Sequence, residues 1–123
     1  MSYSNPLTQT ITITGNSFAS ADATHAIKAP LGCSRGRLRD IQAAVTTTCA
    51  GGTTKPIIKL GKSGTLDKYA TLNLGTTAAG ASVAATSFTE DSITDTDLLL
   101  TLVAATGAGA AGVASVIVII DWF

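Results

Sequence analysis

Residues 98–120, "LLLTLVAATGAGAAGVASVIVII", form a run of 23 residues without a charge, followed by Asp121, Trp122 and Phe123. Such a run has two physical outcomes. It is one helix crossing a bilayer, which needs about 20 apolar residues, or it is two strands of a soluble protein joined by a turn. The middle, "AATGAGAAG", argues against the helix, because Gly107, Gly109 and Gly112 each cost a helix about 1 kcal/mol relative to alanine. The second half, "VASVIVII", is mostly β-branched and favours strand. No Lys or Arg flanks either end, so the charge signal that orients a span is missing. The glycine spacing also suits the packing of two membrane helices. The rest of the chain decides, because its strand-like segments need partners. The run is therefore read as a closing hairpin, 98–105 paired with 113–122 across a Thr-Gly-Ala-rich turn, giving two central strands buried on both faces.

Those earlier segments show period-2 alternation. In "LTQTITIT" (7–14), Thr8, Thr10, Thr12 and Thr14 share one side, and Leu7, Gln9, Ile11 and Ile13 share the other. "GNSFASADAT" reads as a loop, and "HAIKAPL" as a short strand that Pro30 places near an edge or an end. "GRLRDIQAAVTTTC" (36–49) is the longest candidate strand. It sets Ile41, Ala43, Val45, Thr47 and Cys49 on one face, and Leu38 on the opposite parity predicts a bulge near Arg39 or Asp40. "KPIIKLGK" and "KYATLNLG" follow across "AGGTT" and "SGTLD", and the three segments read as a meander. A loop around a weak strand near 82–88 comes next, then "TEDSITDTD" as a solvated acidic connection. The chain of 123 residues fits one domain, with residues 1–6 as a flexible N-terminal arm. Its class is all-β: a β-sandwich of about eight strands with little helix, the jelly roll being one form of it. Aromatics at 5% leave the core to small and β-branched aliphatics, which suffice between two sheets.

Charge is zero overall but segregated along the chain. All eight Lys and Arg lie between 28 and 68, opposed there by Asp40 and Asp67, whereas from 69 onward Glu90, Asp91, Asp95, Asp97 and Asp121 stand without a cation. Either folding interleaves the two segments, or a basic and an acidic surface survive to serve contacts between subunits or docking on a charged scaffold. With no long basic run and no aromatics among the cations, direct nucleic-acid binding is not expected. The start, "MSYSNPLTQT", lacks a charged n-region and an apolar h-region, so the chain is expected to stay in the cytoplasm where it is made. Cys33 and Cys49 are then expected as reduced, buried thiols rather than a disulfide.

Chemistry-bearing motifs are sparse. Gly61-Lys62-Ser63 matches the end of a phosphate-binding loop, but Pro56 stands where the pattern wants glycine, so a simple turn with Lys62 in solvent is the better reading. His25 is the single histidine, read as a surface residue or a satisfied hydrogen-bond partner. The acidic 90–97 segment lacks the spacing of a calcium loop. No catalytic residue, metal ligand or cofactor is expected. Arg35, Arg37 and Arg39 alternate and would share one face of a strand, which makes them the best candidate contact surface. Trp122 and Phe123 join them as an aromatic pair that either closes the core or docks on a neighbour.

Taken together, "AAVTTTCAGGTT", "IIKLGKSGTLDKYATLNLG", the Ala/Gly loop and the ending "AGVASVIVIIDWF" carry a resemblance. Over residues 36–123, in strand order and turn composition, the chain resembles small β-sandwich proteins of tailed bacteriophage particles: the head decoration or cement proteins that bind the outside of the capsid lattice. Related sandwiches occur in phage neck, tail and fibre components. The resemblance implies a structural virion protein on the capsid surface. It would have no enzymatic activity or cofactor, the major capsid protein as partner, and a symmetric homo-oligomer, with a trimer favoured. Two rivals come from other classes. One is a carbohydrate-binding jelly-roll module, which needs exposed aromatics from among Tyr3, Phe18, Tyr69, Phe88, Trp122 and Phe123; the other is a small anchored protein using 98–120.

Overall fold

The computed structural model describes residues 7–19 and 21–123. The proposed arm, 1–6, lies outside them. Nine strands are present: β1 (Leu7–Ser17), β2 (Ala23–Lys28), β3 (Gly36–Ala50), β4 (Ile57–Lys62), β5 (Thr65–Asn73), β6 (Ser82–Ala84), β7 (Ser92–Ile93), β8 (Asp97–Val103) and β9 (Ala111–Trp122), with no helix among the described residues.

The topology follows from folding the chain back on itself at one tight turn. Gly64, with φ of 89°, supplies the left-handed residue that closes β4 onto β5. Moving outward from that tip, β3 pairs with β6 and β7, β2 with β8, and β1 with β9, all antiparallel. This two-stranded ribbon then rolls up, so that β9 also pairs with β3 and β8 with β4. The result is two sheets, ordered β1-β9-β3-β6 with β7 also on β3, and β2-β8-β4-β5. That is the jelly-roll form of the β-sandwich.

Rolling explains where the sequence reading departs from the structure. Segments 98–105 and 113–122 are strands, but not a hairpin: β8 and β9 lie in different sheets. Their inner faces share one core, Leu98, Leu100 and Leu102 from one sheet and Ala114, Val116, Val118, Ile120 and Trp122 from the other. Both strands are central, yet Leu99, Val103, Val113, Ile117 and Ile119 on the outer faces are half-buried, so burial is complete on one side. The meander is also corrected, because β3 belongs to one sheet and the β4-β5 hairpin to the other. The weak strand near 82–88 is the three-residue β6, and the two-residue β7 beyond it brings the count to nine. The bulge stands where Leu38 demanded it: register shifts between Leu38 and Asp40, which keeps both Leu38 and Ile41 in the core. Further shifts on either side of Thr47 expose that residue and return Cys49 to the interior.

The small residues of 104–112 serve a crossover between sheets. This crossover packs on the second one, 51–54, at the end of the sandwich away from the β4-β5 tip. Thr53 and Thr54 donate their N–H groups to Thr106 O, Thr106 N–H returns one to Thr54 O, and the Thr54 and Thr106 hydroxyls bond to each other. A Cβ on Gly107 would sit 2.5 Å from Thr53 N, and one on Gly52 would sit 2.9 Å from Ala108 N. Glycine and alanine are required here for backbone contact. No helix among the described residues is long and apolar enough to cross a membrane.

Candidate interface at the charged end of the sandwich

The strand register sends most charged side chains to one end of the molecule. Arg35 just before β3 and Arg37 and Arg39 near its start lie there, β9 ends there with Asp121, β2 ends with Lys28 opposite Asp97, and the β4-β5 hairpin brings Lys62 and Lys68. Each of the five ion pairs among the described residues joins the basic 28–68 segment to the acidic segment beyond 90. They are Lys28–Asp97, Arg37–Asp91, Arg39–Asp121, Lys62–Asp95 and Lys68–Asp95. Ribbon pairing thus interleaves the two charge blocks.

Not every arginine is used alike. Arg39 Nη1 donates to Asp121 Oδ2 at 3.2 Å, while the Thr8 hydroxyl donates to Oδ1 at 2.7 Å, so a carboxylate only 7% exposed is held from both flanking strands. Arg37 reaches Asp91 at 3.8 Å, with both side chains largely in solvent. Arg35 has no ion pair among the described residues. Its backbone is fixed, because Phe123 N–H donates to Arg35 O at 2.8 Å and Ser34 N–H to Phe123 O at 2.8 Å. Two adjoining hollows open beside these residues. One, of about 370 Å³, is lined by Arg35, Gly36, Arg37, Asp91, Ser92 and Phe123. The other, of about 460 Å³, runs past Arg37, Arg39, Phe88, Asp91 and Asp121.

Of the five residues read from sequence as contacts, Arg35, Arg37 and Arg39 are exposed and Phe123 is half-buried at the same end. Trp122 is the exception. It is fully buried, and its indole Nε1–H donates to Gln9 Oε1 at 2.8 Å, so of the two roles left open for it, this residue closes the core. Period-2 alternation continued from Val116 through Val118 and Ile120 already points Trp122 inward and Phe123 outward. Sequence reading missed Leu31, 96% exposed on the loop between β2 and β3, and Leu66, 40% exposed at the β4-β5 tip. Both stand at the charged end, and Leu7 at the start of β1 adds a third large exposed apolar side chain there.

The "TEDSITDTD" connection is solvated over most of its length, as its composition predicts, and is also tied down at Asp95. Asp95 accepts hydrogen bonds from Lys68 Nζ at 2.8 Å and from the Tyr69 hydroxyl, and that phenol oxygen accepts the N–H groups of Thr94 and Asp95. The Lys68 bond first, then Tyr69, hold the Asp95 carboxyl below its ordinary range against the effect of desolvation. The same bond raises Lys68. Lys62 leans toward Asp95 at 3.8 Å instead of standing free in solvent. His25 is half-buried, and its Nε2 has no hydrogen-bond partner among the described residues, so it is neither a surface histidine nor one satisfied by those residues. Cys33 and Cys49 are free and buried, and burial pushes the Cys49 thiol up. Among the described residues no cluster of His, Cys, Asp or Glu is placed to hold a metal. Phe18, Tyr69 and Trp122 are fully buried, leaving Phe88 and Phe123 as partly open rings among the described residues. The chain matches no protein-family model, and no curated protein is detectably similar to it.

Proposed function

We propose that this chain is a structural virion protein that docks its charged end on the outer surface of a phage capsid and stabilises the shell. The observation that carries the reading is the composition of that end: arginines with guanidinium groups in solvent, a half-buried Phe123 and the exposed Leu31 and Leu66 on one tip of a rigid sandwich. Arginine and apolar anchors together are the composition of protein-binding surfaces. The jelly roll supports the reading at the level of fold, since this architecture recurs in viral capsid and lectin domains. The lectin alternative loses support because three of the aromatic side chains it would stack on sugars are buried.

The mechanism is linkage. A module that binds the assembled lattice, and not free subunits, adds its binding free energy to the work of separating them. Repetition over a shell turns weak single contacts into avidity. The test is cosedimentation with capsids of the particle that encodes the chain. Saturation at a fixed ratio to the major shell protein is expected, with about tenfold weaker binding, or about 1.4 kcal/mol, for Arg35→Glu combined with Arg37→Glu. Protein that stays in the supernatant at all capsid concentrations sinks the reading.

A further inference from the structure

We infer that β1 is a self-association edge: two copies of this chain pair their β1 strands antiparallel about a two-fold axis, making one continuous sheet across two molecules. The inference is independent of capsid docking. On one side β1 is paired with β9 from Leu7 opposite Trp122 to Ser17 opposite Val113; its other side meets no partner among the described residues. A row of open N–H and C=O groups is a template for another strand, and proteins ordinarily blunt such edges by shortness, charge, proline or cover.

The other edges here are blunted in those ways. β6 and β7 have three and two residues. β2 has six and carries His25 and Lys28. β5 carries Asp67 and Lys68 and is partly covered, with Glu90 N–H donating to Tyr69 O. β1, in contrast, has eleven residues, "LTQTITITGNS", with no charge and no proline. Its one irregularity, the register shift between Ile13 and Asn16 beside Gly15, falls at the far end and leaves 7–13 regular.

The occupant that fits is a second β1. Antiparallel self-pairing over 7–13 sets Thr8, Thr10 and Thr12 of each copy on the outer face, Thr8 opposite Thr12 and Thr10 opposite Thr10, and brings the half-buried Ile11 and Ile13 of one copy opposite Gln9 and Leu7 of the other. No like charges meet, and cross-strand Thr and β-branched pairs are favourable. A ring of three copies would need each β1 to pair with a different edge, and β5, the other edge of comparable length, is charged and partly covered. Edge pairing therefore yields a dimer in place of the trimer the resemblance implies. Seven residues give a seam about 23 Å long and at most about 20 Å wide, or about 460 Å² per copy, below the ~800 Å² of a standard interface, so association is concentration-dependent.

Analytical ultracentrifugation of the full chain from about 1 µM to about 1 mM tests this. The mass is expected to rise from 12.4 kDa toward twice that value. Amide exchange in 8–13 is expected to slow by about tenfold over the same range, with β5 unchanged. Thr10→Lys combined with Thr12→Lys, both at exposed positions, abolishes the rise with no change in melting temperature, whereas Thr71→Lys on β5 leaves it intact. A mass of one copy throughout, a limiting mass of three copies, or self-association that survives the double lysine variant overturns the inference. Capsid binding by a strictly monomeric chain would likewise overturn this inference and leave the docking proposal standing.

Discussion

At the scale of single residues, Gly36 lies against Trp122, its partner across β3 and β9. A Cβ on Gly36 would lie 2.8 Å from Trp122 Cε3 and 3.2 Å from Ile120 Cγ2. The indole cannot retreat without losing its bond to Gln9. Gly36→Ala is therefore expected to cost about 1–3 kcal/mol by overpacking, read as a lower denaturant midpoint with an unchanged slope. Thr101 predicts the opposite sign. It is 5% exposed, and its hydroxyl has no hydrogen-bond partner among the described residues. Thr101→Val removes a desolvated hydroxyl at nearly constant shape and is expected to raise stability by about 1 kcal/mol; a fall in melting temperature would show that the hydroxyl is satisfied after all. The sequence made Trp122 legible through its parity. It did not show Gly36 as its counterpart, because that pairing joins positions 86 residues apart.

At the scale of elements, the segment from Glu90 to Thr96 shows the limit of local reading. Its composition is that of a solvated turn, and the groups that hold it, Tyr69, Lys68 and Lys62, come from the β4-β5 hairpin. Tyr69 has the outward parity of its strand and is nevertheless fully buried, because this segment crosses it. Because the Asp95 carboxyl is held below its ordinary range, first by the Lys68 hydrogen bond and then by Tyr69, its contribution is complete above the unfolded-state value near 3.9. It is lost as pH falls through the lower folded-state value. Lys68, raised by the same bond, keeps its proton across the neutral range. The melting temperature of Asp95→Asn is thus expected to lie below that of the parent by a constant amount from about pH 8 to about pH 5. The gap should close as pH falls through the lowered folded-state value of Asp95. A gap that persists undiminished in acid would assign the effect to packing of the segment and not to its charge. Strand positions were readable because period-2 burial is a local property; strand partners were not, because the ribbon pairs each early strand with a late one.

At the scale of the molecule, that ribbon pairing sets both the charge distribution and the surface offered to a partner. It brings the cationic early strands against the anionic late ones at one end, and it leaves Asp22 and Lys55 as the charged residues near the crossovers at the other. The sequence showed the charge blocks and the alternating arginines. It could not show that Arg39 is committed to Asp121 while Arg35 is free of ion pairs among the described residues, since the difference depends on which strand lies alongside. The distinction separates folding from docking. Arg39→Glu sets two anions against each other at a carboxylate 10% exposed in its side chain. It is expected to lower stability by about 1–2 kcal/mol, less than a fully buried pair would lose because the arginine itself is largely in solvent. Arg35→Glu touches no such partner and is expected to leave the melting temperature unchanged while weakening attachment to capsids. That attachment should itself decline as salt rises, because the guanidinium groups concerned are exposed and screened. The informative pair of measurements is thermal melting and cosedimentation on both variants. Should Arg35→Glu bind like the parent at low salt while Arg39→Glu loses binding only in proportion to its loss of fold, the charged end is a device for closing the sandwich, and docking belongs to another face.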